Sequence, residues 1–168
     1  MNIIDFKAQN EIQTDMKRIT EILNSQIFSR GNCRNPLLES AFIELIIRLR
    51  DLMYKCDKLG NRISFQDDII KIKDQNSNAG VEDITDAIGF VRNAACHIES
   101  GKNLIDQSCV FIFNVFYGKG KMKVAQKEYT SDYSDDICYF YGEQKLYLHR
   151  HLIRAFKESQ TVLGKYLK

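Results

Sequence analysis

Arg92, Asn93 and His97 are the residues of this sequence best equipped for chemistry. His97 is the one side chain of its stretch that gains or loses a proton near neutrality. As a general base or acid, such a group is worth about 10²–10⁴-fold in rate. Arg92 offers a planar fork of donors, suited to a phosphate and to charge that builds in a transition state. Asn93 stands one helical turn before His97, where its amide can orient the imidazole or hold a phosphate. This set is compatible with cleavage of a phosphodiester beside a hydroxyl that can act as internal nucleophile, as the ribose 2′-hydroxyl can.

The element that must position these groups is the stretch Ile84 to Ser100, ITDAIGFVRNAACHIES. At about 100° per residue, Ile84, Ile88, Val91, Ala95 and Ile98 fall within roughly 40° of one line, which predicts a helix with a core-facing stripe. The opposite face carries Gly89, Phe90, Asn93, Cys96 and His97. It is small and aromatic where an ordinary surface helix is charged. Burial on both sides is the expectation, first within the chain and then against a second copy in a two-fold homodimer. Asp83 or Thr85 is the expected N-cap, and Ser100-Gly101 the expected end.

The composition sets the frame. A chain of 168 residues, 44% hydrophobic and 27% charged, has the size and balance of one globular domain. The net charge of +2 is too small to argue for nucleic acid by itself. Five cysteines without a CxxC pair or neighbouring paired histidines argue against a zinc site and a disulfide framework. No metal or other cofactor is expected. The opening MNIIDFKAQNEI lacks an apolar signal region, and no run approaches a membrane span. A cytoplasmic protein away from membranes is the expectation.

In chain order, residues 4 to 28 read as a helix with Ile12, Met16, Ile19, Ile22 and Leu23 at helical spacing. Asn35-Pro36 starts a second helix that runs to about Leu59 and closes on Gly60. Ser64 is the expected cap of a short helix through Asp67 to Ile72. After the central helix the period changes. Cys109 to Tyr117 reads as a strand, Gly118-Lys119-Gly120 as a hairpin-like turn, and Lys121 to Tyr129 as the returning strand. Ile137 to Tyr141 is a third strand. A last helix is expected from about Glu143 to Tyr166, with Leu146, His149, Ile153, Phe156 and Leu163 on one face. The Gly-Lys-Gly-Lys run at 118–121 lacks the spacing of a phosphate-binding loop.

The R-N-x-x-x-H run from Arg92 to His97 resembles the Arg-x(4–6)-His signature of the HEPN superfamily, in which a polar residue often follows the arginine. The resemblance covers six residues and the position of their helix late in a helical chain. It implies a mainly α fold: a HEPN-like bundle of four to five helices, one domain over residues 1–168, with a small antiparallel β-insert at about 109–141 before the last helix. It also implies a homodimer with two motifs across a shared cleft, and metal-independent endoribonuclease activity. The setting it implies is a toxin–antitoxin or phage-defence protein, partnered by RNA and by an antitoxin or other regulatory protein. Arg92, His97 and Asn93 would be catalytic. In one toxin subset a tyrosine two residues after the histidine is modified by a partner nucleotidyltransferase. Glu99 stands at that position here, which puts that control in doubt.

Other readings remain open. The chain can equally be a catalytically silent module of the same type that binds a nucleotide or a protein, or a structural protein in which Arg92 and His97 hold a dimer together. Lys119, Lys121 and Lys123, with Lys127, can bind RNA backbone or simply solvate a strand face. Phe111, Phe113 and Phe116 can stack on bases or pack a core. His149 is expected in a core or interface, and His151 in solvent.

Overall fold

The computed structural model describes residues 6–73, 80–97, 99, 101–105 and 109–167. Its hub is α2 (Leu38–Lys58), which packs against α1 (Phe6–Asn24), α3 (Ile84–Cys96) and α4 (Arg154–Leu163). Phe42, Leu45, Ile46, Leu49, Leu52, Met53 and Cys56 of α2 are all buried. Full burial of one such large apolar side chain contributes about 1.5–3 kcal/mol. Asn35 Oδ1 accepts the Leu37 N–H at 2.9 Å just before α2. Gly60 ends it with φ +75°, a left-handed conformation that suits a residue without a Cβ.

Seven strands follow α3 among the described residues. β1 (Leu104–Ile105) pairs with β2 (Cys109–Val110), and β4 (Gly120–Val124) pairs with β5 (Lys127–Ser131). The third sheet joins β3 (Asn114–Tyr117), β6 (Ile137–Tyr141) and β7 (Gln144–Tyr147), with β6 in the middle. Every residue of β6 is buried, because the strand is covered on both faces. Ile137, Tyr139 and Tyr141 point into the helical core, where the Tyr139 ring lies 4.7 Å from that of Phe42. Cys138 and Phe140 point the other way, into a second core with Ile105, Phe111, Tyr129 and Tyr147. The sheet is thus a partition, with helices on one side and the β4–β5 hairpin on the other.

This corrects the expected helical bundle with one small β-insert: the chain has four α-helices and seven strands in three antiparallel sheets among the described residues. The physical reason lies at Gly142, which turns β6 into β7 at φ +57°. A Cβ there would collide with the carbonyl oxygen of Lys102, so only glycine permits this turn. The expected last helix from Glu143 therefore begins as β7, passes through a π-helical segment at Leu148–Ile153, and becomes α-helical only at Arg154. Counting a helical phase from Leu146, a strand residue, placed the two histidines on the wrong sides. His151 is fully buried and the His149 side chain is 59% exposed.

Three smaller expectations also change. Gly118-Lys119-Gly120 is not a hairpin turn. β3 pairs with β6, and β4 pairs with β5 across Ala125-Gln126. Residues 63–73 hold no helix; they are irregular around a turn at Asp67-Asp68, and Ile72 bridges to Val81. α3 ends at Cys96, earlier than Ser100, and Ile98 of its expected stripe lies outside the described residues. Among the described residues, no helix is long and apolar enough to cross a membrane. The five cysteines are free, and burial pushes the thiols of Cys56 and Cys138 up to about 11 and about 12.

Candidate functional site around Arg92, Asn93 and His97

The site is built from α3 outward. Ile84, Ala87, Ile88, Val91 and Ala94 sink one face of the helix into the core. Its N-terminus is bolted down by polar contacts. Asp83 caps it, with Oδ1 accepting the Asp86 N–H at 3.0 Å. Arg62 then grips both carboxylates, donating from Nε to Asp83 Oδ2 at 2.8 Å and from Nη2 to Asp86 Oδ1 at 2.6 Å. Those bonds, Asp83 first, raise the Arg62 pKa above its ordinary value and keep the guanidinium charged. Thr85 Oγ1 donates to Ile63 O at 2.6 Å, tying α3 to the extended segment after α2.

With its start fixed, α3 carries Arg92 and Asn93 half-buried on its flank and delivers His97 exposed at its C-cap. The last helical hydrogen bond, from His97 N to Asn93 O at 2.9 Å, sets the distance between the two residues. Arg92 Nη1 lies 2.7 Å from His97 Nε2 and 3.2 Å from Asn93 Oδ1. A guanidinium has donors and no acceptor. Nε2 therefore accepts, and His97 is the neutral Nδ1–H tautomer in this arrangement. All three expected catalytic residues thus come together around one guanidinium.

The expected RNA-binding lysines do not join them. Lys119, Lys121 and Lys123 are exposed at and on β4, over the second core, whereas α3 packs into the first. Lys121 Nζ is paired with Glu128 Oε1 at 3.0 Å, and Lys123 stands opposite Glu128 in the β4–β5 register. Phe111 is buried in the second core, while Phe113 and Phe116 are half-buried against the first and second cores respectively.

Two arrangements escaped the sequence reading. The first is a shallow groove of about 270 Å³ beside the trio, which Asn93 lines together with residues of α2 and with Lys102. Its α2 part, Arg50, Tyr54 and Asp57, had a local signal: Arg50 and Tyr54 are one helical turn apart, and the guanidinium lies over the tyrosine ring. The second is the carboxylate of Asp136, buried at the start of the π-helix. It accepts from the N–H groups of Ile137, His149 and Arg150, from His149 Nδ1 at 3.0 Å and from Arg150 Nη1 at 3.0 Å. Burial alone would push this carboxyl up, but those bonds outweigh it and hold it below the usual range. Separation of 13 residues between Asp136 and His149 gave this no local signature.

Among the described residues, no group of three His, Cys, Asp or Glu side chains is placed to hold a metal ion. No protein-family model, curated protein or solved structure matches this chain.

Proposed function

We propose that the chain is a metal-independent endoribonuclease whose chemistry is of the HEPN type, carried by the Arg92–His97 segment on a mixed α and β fold. The contact between Arg92 Nη1 and His97 Nε2 at 2.7 Å is the observation that carries the reading. It sets a strong phosphate-binding cation directly against a neutral imidazole with a lone pair. An incoming phosphate draws the guanidinium to itself, since an Arg–phosphate pair is charge-assisted and bidentate. That frees Nε2 to take the proton of the ribose 2′-hydroxyl. The 2′-oxygen then bonds to phosphorus, and the bond to the 5′-oxygen breaks. Arg92 stabilises the extra negative charge of the transition state. The first His97 ends as the imidazolium, and the leaving 5′-oxygen takes its proton from His97 of a second copy, which acts as general acid in its imidazolium form in the homodimer we propose. The products are a 2′,3′-cyclic phosphate and a 5′-hydroxyl.

A toxin or phage-defence role in the cytoplasm, restrained by an antitoxin or other regulatory protein, fits an enzyme that destroys RNA. One observation favours a second reading. His97 Nε2 is already occupied by Arg92 in the free chain, as suits a silent module that binds a nucleotide or a protein through the same cation. Incubation of the purified protein with total RNA in EDTA separates the two. Cleavage by wild type and none by His97→Ala is the expected result. Intact RNA over a broad pH range removes the ribonuclease reading.

A further inference from the structure

The middle of α3 contains a glycine that nothing inside the chain requires. Gly89 has no left-handed φ, and a Cβ built there meets nothing within 4 Å. Glycine in a helix interior costs about 0.5–1 kcal/mol relative to alanine. Its place is the floor of the groove beside the Arg92–Asn93–His97 trio. Two aromatic rings flank that floor. Tyr54, on α2, is 49% exposed, and Phe90 is half-buried. Each ring has a cation over it: Arg50 at 5.6 Å from the Tyr54 centroid, and Lys102 Nζ at 5.3 Å from that of Phe90. Asn93 forms part of the wall and hydrogen-bonds to the guanidinium that touches His97.

Asp57 and Asp86 also line the groove, each paired with Arg62, so Arg50 and Lys102 are the remaining cations of its lining. A bare floor, aromatic faces and those two cations suit a planar ring joined to an anion. We propose that this groove is the binding track for one nucleotide of single-stranded RNA, with its base over Gly89 between Tyr54 and Phe90 and its phosphate between Arg50 and Lys102. The inference rests on the ribonuclease reading, for which it supplies the strand's approach to Arg92. Aromatic faces take any base, because every base has a π-face. The half-buried Arg50 and Lys102 side chains turn from the rings to take the phosphate. At about 270 Å³ the groove is smaller than the roughly 300–1,000 Å³ of ordinary ligand pockets. An unstacked base of a single strand has its face free to enter it, whereas the bases of a duplex are stacked away from it.

The test is anisotropy of a fluorescein-labelled 2′-O-methyl RNA hexamer, which has no free 2′-hydroxyl and cannot be cut by this route. Wild type is expected to bind it, and an excess of unlabelled duplex RNA should displace it poorly. Gly89→Leu, which fills the floor with a good helix former, should weaken binding about tenfold or more, as should Tyr54→Ala. Both are checked by circular dichroism; Tyr54 is a surface residue, so its variant keeps the test alive if the leucine disturbs folding. Equal binding by wild type, Gly89→Leu and Tyr54→Ala, or no binding by wild type, overturns the proposal. Dissociation of a dimer by Gly89→Leu with unchanged hexamer binding also overturns it, and assigns the floor to a second copy of the chain. The two readings fail separately. Groove-dependent binding without any RNA cleavage removes the ribonuclease and keeps the track. Cleavage that Gly89→Leu and Tyr54→Ala leave unaltered removes the track and keeps the ribonuclease.

Discussion

Arg92 and His97 meet Nη1 to Nε2 at 2.7 Å across the end of α3, where the helix hands over to its C-cap. The pair sets a permanent cation against the lone pair of an imidazole. Because only a guanidinium holds Asn93 and His97 at once and then turns a fork to phosphate, Arg92→Lys should not rescue activity. We expect Arg92→Ala and Arg92→Lys both to lose at least about 10²-fold in cleavage rate, the scale of a lost transition-state donor. Mass spectrometry of the products should find the 2′,3′-cyclic phosphate, and a single 2′-deoxy nucleotide at the cut site should stop the reaction. Full activity of Arg92→Lys would refute the role given to the fork.

The start of α3 decides where its end lies, so the clamp at Asp83 should be felt at His97. Asp83→Ala removes the cap and releases two of the Arg62 bonds. A lost N-cap costs about 0.5–2 kcal/mol. Asp83→Ser restores a cap without the ion pair and should recover part of that loss. Urea denaturation of the three proteins measures it. Equal midpoints would show that burial of Ile84, Ala87 and Ile88 fixes the helix without help.

Two glycines should respond in opposite directions to alanine. Gly142 turns β6 into β7 at φ +57°, with the Lys102 carbonyl oxygen in the way of any Cβ. Gly142→Ala should therefore destabilise by more than about 1 kcal/mol, through both strain and the clash. Gly89→Ala, with a helical backbone and open space, should stabilise by about 0.5–1 kcal/mol. Thermal melts of both variants test the pair. A loss on Gly89→Ala would mean that the space above it is already occupied in solution.

The first half of the chain was legible because helices announce themselves locally. The stripe of Phe42, Leu45, Leu49, Leu52 and Cys56 is buried as its spacing demands, Gly60 stops α2 and Asp83 caps α3. The Arg92, Asn93 and His97 cluster was legible for the same reason, since one helical turn brings its members together. The second half was not. Ile137 to Tyr141 reads as a strand, but its two covered faces depend on partners far along the chain. Gln144 to Tyr147 lies within a sequence that keeps a helical period, and only the turn at Gly142 commits it to the sheet. A π-helical segment then shifts the phase again, so His149 and His151 exchange places. The groove joins α2, α3 and Lys102, a meeting that no local spacing encodes.

The exchange of the histidines has a measurable consequence for stability. His151 is buried, accepts the Tyr147 N–H at Nδ1 and donates from Nε2 to the Asp67 carbonyl oxygen at 2.8 Å. It is thus neutral in the folded chain. Burial pushes its pKa below the ordinary histidine value, and the bond to Asp67 and the nearby Asp68 and Asp136 carboxylates only partly oppose this. In the unfolded chain the ring titrates near about 6.5. Between the folded and unfolded values the unfolded state binds more protons, so stability rises with pH there. The stabilisation is complete above about 6.5 and is lost as the pH falls below it, at a slope of up to about 1.4 kcal/mol per pH unit. Asp136 acts lower: its depressed pKa gives stability that is present above the ordinary aspartate range and is lost on further acidification. His151→Leu leaves the Tyr147 N–H and the Asp67 carbonyl without their partner, at a cost of about 1–3 kcal/mol for each group that stays buried. We therefore expect this variant to be less stable than wild type at pH 8 but flatter between pH 7 and 5. Parallel slopes in urea melts across that range would show that His151 stays accessible to protons in the folded chain.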